Sequence, residues 1–132
     1  MNILQSNQDG RNIWFLQNGE YYRDGGPAIE EANGIKRWYQ HGKLHRVDGP
    51  AIEDAGGTKE WFQHGKLHRV DGPAAEWANG NKYWYQQGKL HREDGPAIEY
   101  ADGTQQWWIK GKQLKVSSQE EFERYMKLKA FW

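Results

Sequence analysis

Proline recurs in this chain at a single interval: Pro27, Pro50, Pro73 and Pro96, its only four, lie 23 residues apart. Three of them belong to the same phrase, Leu-His-Arg-x-Asp-Gly-Pro-Ala, at residues 44–51, 67–74 and 90–97, and a degraded copy runs from Tyr22 and Arg23 to Pro27 and Ala28. The same step relates Trp38, Trp61, Trp84 and Trp107, and the glycines Gly19, Gly42, Gly65, Gly88 and Gly111. A fixed interval of this size marks one supersecondary unit copied along an array, each copy burying its apolar surface against the next. The chain therefore reads as a single repeat domain, 1–132, with a partial repeat at 13–22, repeats at 23–45, 46–68, 69–91 and 92–114, and a terminal segment of different character.

Turn chemistry identifies the unit. Asn33-Gly34, Gly56-Gly57, Asn79-Gly80 and Asp102-Gly103 each separate a small-residue strand from an aromatic one, and such pairs suit two-residue type I′ turns. Two-residue closure would set Ile29 opposite Trp38, Ile52 opposite Trp61, Ala75 opposite Trp84 and Ile98 opposite Trp107, with Glu30 facing Arg37 and Glu53 facing Glu60. The second turn of each unit, Asn18-Gly19, His41-Gly42, His64-Gly65, Gln87-Gly88 or Lys110-Gly111, would set Leu44 opposite Tyr39 and His45 opposite Trp38. Each tryptophan is then shared by two hairpins and reads as core. Proline cannot donate to a ladder, so Asp-Gly-Pro should break the strand between units. The expected fold is mainly β: tandem hairpins in a twisted antiparallel meander of about nine or ten short strands, rolled upon itself. The first dozen residues are polar and suggest only a turn at Asp9-Gly10.

From Ser117 the pattern changes. Ser118 and Glu121 have capping-box spacing, and Phe122, Tyr125 and Met126 recur at helical intervals, so residues 117–131 should form an α-helix. Its apolar face, with Phe131 and Trp132, would cover the open end of the array or meet another chain, which leaves a homo-oligomer through the array edge or this helix as one partner arrangement.

Composition narrows the function classes. Eighteen basic residues balance eighteen acidic ones, leaving no net field to draw in nucleic acid or an anionic membrane, and sequence-specific DNA binding is not expected. With no cysteine, disulfides and thiolate chemistry are excluded. No apolar run is long enough to span a bilayer and residues 1–5 lack a signal-peptide core, so the expected location is cytoplasmic. Hydrophobic residues make up 36%, but eight are tryptophan, so burial must rest on a few large rings.

Two groups of residues carry chemistry. The clusters His45-Arg46-x-Asp48, His68-Arg69-x-Asp71 and His91-Arg92-x-Asp94 offer only one histidine per repeat and no repeated serine or threonine beside it, which argues against metal binding and nucleophilic catalysis. Arg46, Asp48, Arg69, Asp71, Arg92 and Asp94 read instead as a corner motif holding the Gly-Pro turn. Trp77 and Tyr100 stand where other repeats have Glu31 and Asp54. Aromatics that break a polar row are candidate binding residues, and Arg69, Arg92, His91 and Lys82 would supply charge-assisted contacts beside them, to a nucleotide-like ligand or a partner's loop. Packing under the C-terminal helix is the structural alternative for Trp77 and Tyr100.

The Trp-Tyr-Gln-His-Gly-Lys-Leu-His stretch, the Asp-Gly loop, the small-residue strand and the second aromatic strand resemble the MORN repeat over residues 13–114, with His-Arg-x-Asp-Gly-Pro replacing the usual His-Gly-x-Gly. The resemblance is to MORN-like variants of bacteria, phages and large viruses. It implies a non-enzymatic binding or scaffolding array without cofactors: a phage or mobile-element counter-defence factor that blocks a host immune protein or sequesters a nucleotide signal, acting in the host cytoplasm, or else a structural adaptor for proteins or lipid headgroups.

Overall fold

Each 23-residue unit makes two antiparallel hairpins in succession, seen in a computed structural model that describes residues 2–130. The first hairpin of each unit enters a common sheet: Ile29–Glu30 with Lys36–Arg37, Ile52–Glu53 with Lys59–Glu60, Ala75–Glu76 with Lys82–Tyr83, and Ile98–Glu99 with Gln105–Gln106. With Ile3–Gln8 and Arg11–Leu16 these strands form one ten-stranded antiparallel sheet in chain order. The second hairpin of each unit, such as Tyr39–Gln40 with Lys43–Leu44, leaves the sheet as a two-stranded projection. The expected continuous ribbon is therefore divided, and the ten-stranded sheet is open rather than rolled into a barrel. The projections bond to one another as well: Arg46 N–H donates to the Phe62 carbonyl at 3.2 Å and Gly65 N–H to the Leu44 carbonyl at 2.9 Å, and later repeats copy both.

The two turns of a unit differ in kind. At His41-Gly42 both residues have positive φ, 51° and 73°, giving the two-residue closure and the Tyr39–Leu44 pairing read from sequence. At Asn33-Gly34 only the glycine is left-handed, with φ 94°, and Gly34 N–H donates to Glu31 while Glu31 N–H donates to Ile35. This is a three-residue loop with a glycine bulge, which shifts the register by one. Ile29 consequently faces Arg37, not Trp38, and Ile52, Ala75 and Ile98 face Glu60, Tyr83 and Gln106. The like-charge contact between Glu53 and Glu60 does not form, since Glu53 faces Lys59 and Lys36.

Tryptophan is the junction between the two hairpins. Trp38 N–H donates to the Ala51 carbonyl across the sheet at 2.8 Å, while its own carbonyl accepts from His45 in the projection at 3.0 Å. Ala28, Ala51, Ala74 and Ala97 re-enter the sheet directly after each proline and are fully buried. In the partial repeat, Trp14 lies 24 residues before Trp38, and the extra residue is absorbed where Asn18-Gly19 closes with three residues instead of two.

Residues 3–16 form the longest hairpin: Ile3–Gln8 pairs with Arg11–Leu16 through a turn at Asp9-Gly10 in which both residues have positive φ. Polarity hid this hairpin because it lies at the sheet edge and has only partial burial. At the far end the helix spans Gln119–Lys129, with the Ser118 hydroxyl accepting from Glu121 N–H at 3.2 Å. Phe122 packs against Trp107 and Ile109 in the main apolar cluster, and the Trp107 indole N–H donates to Gln119 at 3.0 Å. The helix thus closes the array; Phe131 and Trp132 lie outside the described residues.

The corner motif is built around arginine. Arg46 lies over the Trp38 ring at 3.8 Å; its Nη1 donates to the Pro50 carbonyl at 3.0 Å and to Glu53 at 3.2 Å, and its Nε donates to Asp48. Arg23, Arg69 and Arg92 stack likewise on Trp14, Trp61 and Trp84. Glycine precedes proline because a Cβ on Gly72 would come within 2.8 Å of the Arg69 guanidinium carbon. The aspartates contribute least, since their side chains are about 87% exposed. Arg69→Ala should therefore lower stability by about 2 kcal/mol, from the lost stack and charged hydrogen bonds, against less than about 1 kcal/mol for Asp71→Ala, as read by chemical denaturation.

The histidines tie each repeat to the next. His45 Nδ1 accepts from His64 N–H at 3.0 Å, His68 from Gln87 and His91 from Lys110, so each ring caps the following type I′ turn with an unprotonated nitrogen. Burial, with His64 and His41 nearby, holds the His45 pKa below its ordinary value of 6.5. As pH falls, the unfolded chain binds a proton at this site before the folded chain does. Its contribution is complete above about pH 6.5 and is lost as pH falls toward the lowered folded value. Thermal melts should shift downward between about pH 7.5 and about pH 5.5, and His45→Asn, whose amide oxygen accepts without titrating, should flatten that slope.

Candidate binding face

Strand alternation assigns every sheet residue to one of two faces. On one lie Glu30, Lys36, Glu53, Lys59, Glu76, Lys82 and Glu99, with the stacked corner arginines bonded to the glutamates. Nearly every charge on this face has an opposite charge across the strand or from the corner. The other face carries Ile29, Ile52, Ala75 and Ile98 and their partners Arg37, Glu60, Tyr83 and Gln106, with Glu31, Asp54, Trp77 and Tyr100 two residues further along the strands.

Trp77 and Tyr100 come together on this second face through a residue the sequence reading passed over. Tyr83 lies between them, its ring centroid 5.0 Å from Trp77 and 6.3 Å from Tyr100, the latter edge-on. Asn81 holds the group in place: its amide donates to the Tyr83 hydroxyl at 3.3 Å and its carbonyl oxygen accepts from Ala101 N–H at 2.8 Å. Trp77 remains 45% exposed, the only aromatic among the large hydrophobic side chains that the described residues leave open to solvent. Neither Trp77 nor Tyr100 belongs to the cluster under the C-terminal helix.

The cationic residues expected beside them are elsewhere. Arg69 and Arg92 are stacked at the corners and pair with Glu76 and Glu99, and Lys82 faces those same glutamates, all on the opposite face. His91 is buried, its Nδ1 engaged by Lys110 N–H and its Nε2 3.2 Å from Glu93. His91 and Arg92 do line a cleft of about 790 Å³, but with Trp84, Asp71 and Asp94 rather than with Trp77. A smaller copy of that cleft beside His68 and Arg69 marks it as a product of the repeated corner. The six residues therefore divide between two surfaces, and the register explains why: Tyr83, not Trp84, faces Ala75, so the sheet turns the tryptophan and its arginine away from Trp77.

Around Trp77 the electrostatics are negative. Glu60, Leu67, Ala75, Trp77, Tyr83 and Tyr85 enclose a cavity of about 200 Å³. Burial, and then the neighbouring Asp54, raises the Glu60 pKa; burial, followed by Tyr83 and Glu60, raises that of Tyr85. Asp54 itself accepts backbone N–H bonds from Gly56 and Thr58 at 2.9 Å each, so it is fixed by its own turn. Among the described residues no three or more His, Asp or Glu side chains gather as metal ligands would. The row Arg37, Glu60, Tyr83 and Gln106 varies as much as the row containing Trp77, and with the observed register it points to Tyr83. Comparison with protein-family models, with curated proteins and with solved structures found no match to this chain.

Proposed function

We propose that the protein is a non-catalytic repeat module that binds a partner polypeptide through the face bearing Trp77, Tyr83 and Tyr100. One observation carries this reading: three aromatic rings from adjacent repeats form a continuous, partly exposed run at positions where earlier repeats carry Glu31, Arg37, Asp54 and Glu60. Tryptophan and tyrosine are among the residues that contribute most to protein interfaces, and the hairpin scaffold presents them rigidly. The local charge selects against the nucleotide reading. A phosphate stacked on Trp77 would meet Glu60 and Asp54, whereas Arg69, Arg92 and Lys82 lie on the far face, paired with or opposite carboxylates. A polypeptide with apolar and basic groups is the complementary partner. The MORN-like resemblance adds a setting, blockade of a host protein by a counter-defence factor, with a scaffold or adaptor role as the alternative.

Affinity capture from lysate of the source cells, followed by calorimetry with the captured protein, tests the reading. Trp77→Ala should weaken binding by at least about 2 kcal/mol without lowering the melting temperature, because Glu31 and Asp54 occupy the equivalent position. Equal binding by wild type and the Trp77→Ala, Tyr100→Ala double variant, or release of a chemically altered partner, would overturn it.

A further inference from the structure

The geometry points to a cation site in the cavity beside Trp77, one that takes the ammonium head of a lysine side chain presented by the partner. This rests on the reading of the face as a polypeptide-binding surface and specifies what the polypeptide must offer. The protein's own corners show the recognition rule. At each corner a tryptophan ring, a glutamate and a backbone carbonyl surround one cation, as Trp61, Glu76 and the Pro73 carbonyl surround Arg69. The cavity repeats the ring and the carboxylate without the cation: Trp77, Tyr83 and Tyr85 line it with aromatic surface, and Glu60 supplies the charge. No cation lies over the Trp77 ring, and no ion pair or side-chain hydrogen bond engages the Glu60 carboxylate among the described residues. One repeat before Glu60 the same row holds Arg37, which bonds to Glu31 at 2.9 Å, so in that repeat the chain provides its own cation on this face.

Size and lining favour a lysine. A volume of about 200 Å³ is below the range of small-molecule sites and suits one extended side chain. Leu67 and Ala75 line it with apolar surface for a methylene stem, while the rings and Glu60 receive the charged end. Burial, and then the nearby Asp54, raises the Glu60 pKa, and a bound ammonium would offset that cost.

The test is a titration of the full chain, followed through the Trp77 indole N–H in proton–nitrogen correlation spectra, with short capped peptides carrying one lysine, one arginine or one norleucine, and with choline. The lysine peptide should perturb Trp77 at millimolar concentration, norleucine should not, and added salt should weaken the effect. Glu60→Gln should reduce lysine-peptide affinity about ten-fold or more, the cost of losing one charged hydrogen-bond partner. Trp77→Leu, at a position that tolerates Glu31 and Asp54, serves as a second variant; followed through the backbone amides of Glu60 and Tyr83, it should lose the shifts that the lysine peptide causes there in the wild type. Equal binding of norleucine and lysine, unchanged affinity in Glu60→Gln, or tighter binding of arginine or choline would overturn the inference. The broader reading fails separately: a captured partner lost by Trp77→Ala but retained at full affinity by Glu60→Gln would leave the polypeptide-binding face standing and remove the lysine site.

Discussion

The arginine laid against tryptophan is the contact on which the rest of the structure depends. With little aliphatic residue per repeat, a unit of 23 residues cannot hold its corner by an apolar core alone. The guanidinium solves this by working in several directions: its plane packs on the ring, Nη1 reaches the carbonyl of a proline that ends the strand, and the same nitrogen meets a glutamate of the next strand. The phrase Arg-x-Asp-Gly-Pro follows from that geometry. Glycine leaves room for the guanidinium, proline terminates the ladder, and the alanine after it is fully buried where the chain rejoins the sheet. In the last repeat, where Lys115 replaces the arginine, Gln119 and Phe122 of the helix take over at Trp107.

This arrangement also sorts charge. Because the corners and their glutamates consume the cations of one face, balanced composition conceals two unlike surfaces. One is a ladder of alternating opposite charges with an arginine–glutamate pair at each corner. The other is neutral to acidic and becomes aromatic in the repeats before the helix. A chain with no net charge can thus still carry a strong local field, from a carboxylate placed among rings with no cation paired to it.

Much of the fold was legible because the repeat imposes four near-identical copies of each turn and each strand. The type I′ turn at His41-Gly42 and the helix from Ser118 followed from local chemistry alone. The register of the first hairpin did not, because Asn-Gly is compatible both with a two-residue turn and with a three-residue loop in which glycine alone is left-handed. That single residue decides which side chains share a face. It moved Tyr83 to the side of Trp77 and carried Arg69, Arg92 and Lys82 away from it. The N-terminal hairpin was hidden for a different reason: an edge strand such as Ile3–Gln8 needs little apolar content, so it leaves no hydrophobic period to read.

The histidine link between consecutive turns has a bearing on how the chain folds. It joins residues 19 apart, and among the described residues the widest side-chain hydrogen bond spans only 25. A sheet of ten strands usually folds slowly because distant segments must meet before any pairing is rewarded. Here each strand pairs only within its own repeat or with the adjoining one, so the search is local and growth can start at any repeat and spread in both directions. The same locality means that no single contact secures the whole, so that in an array of this kind stability is a sum over repeats and the seams between them.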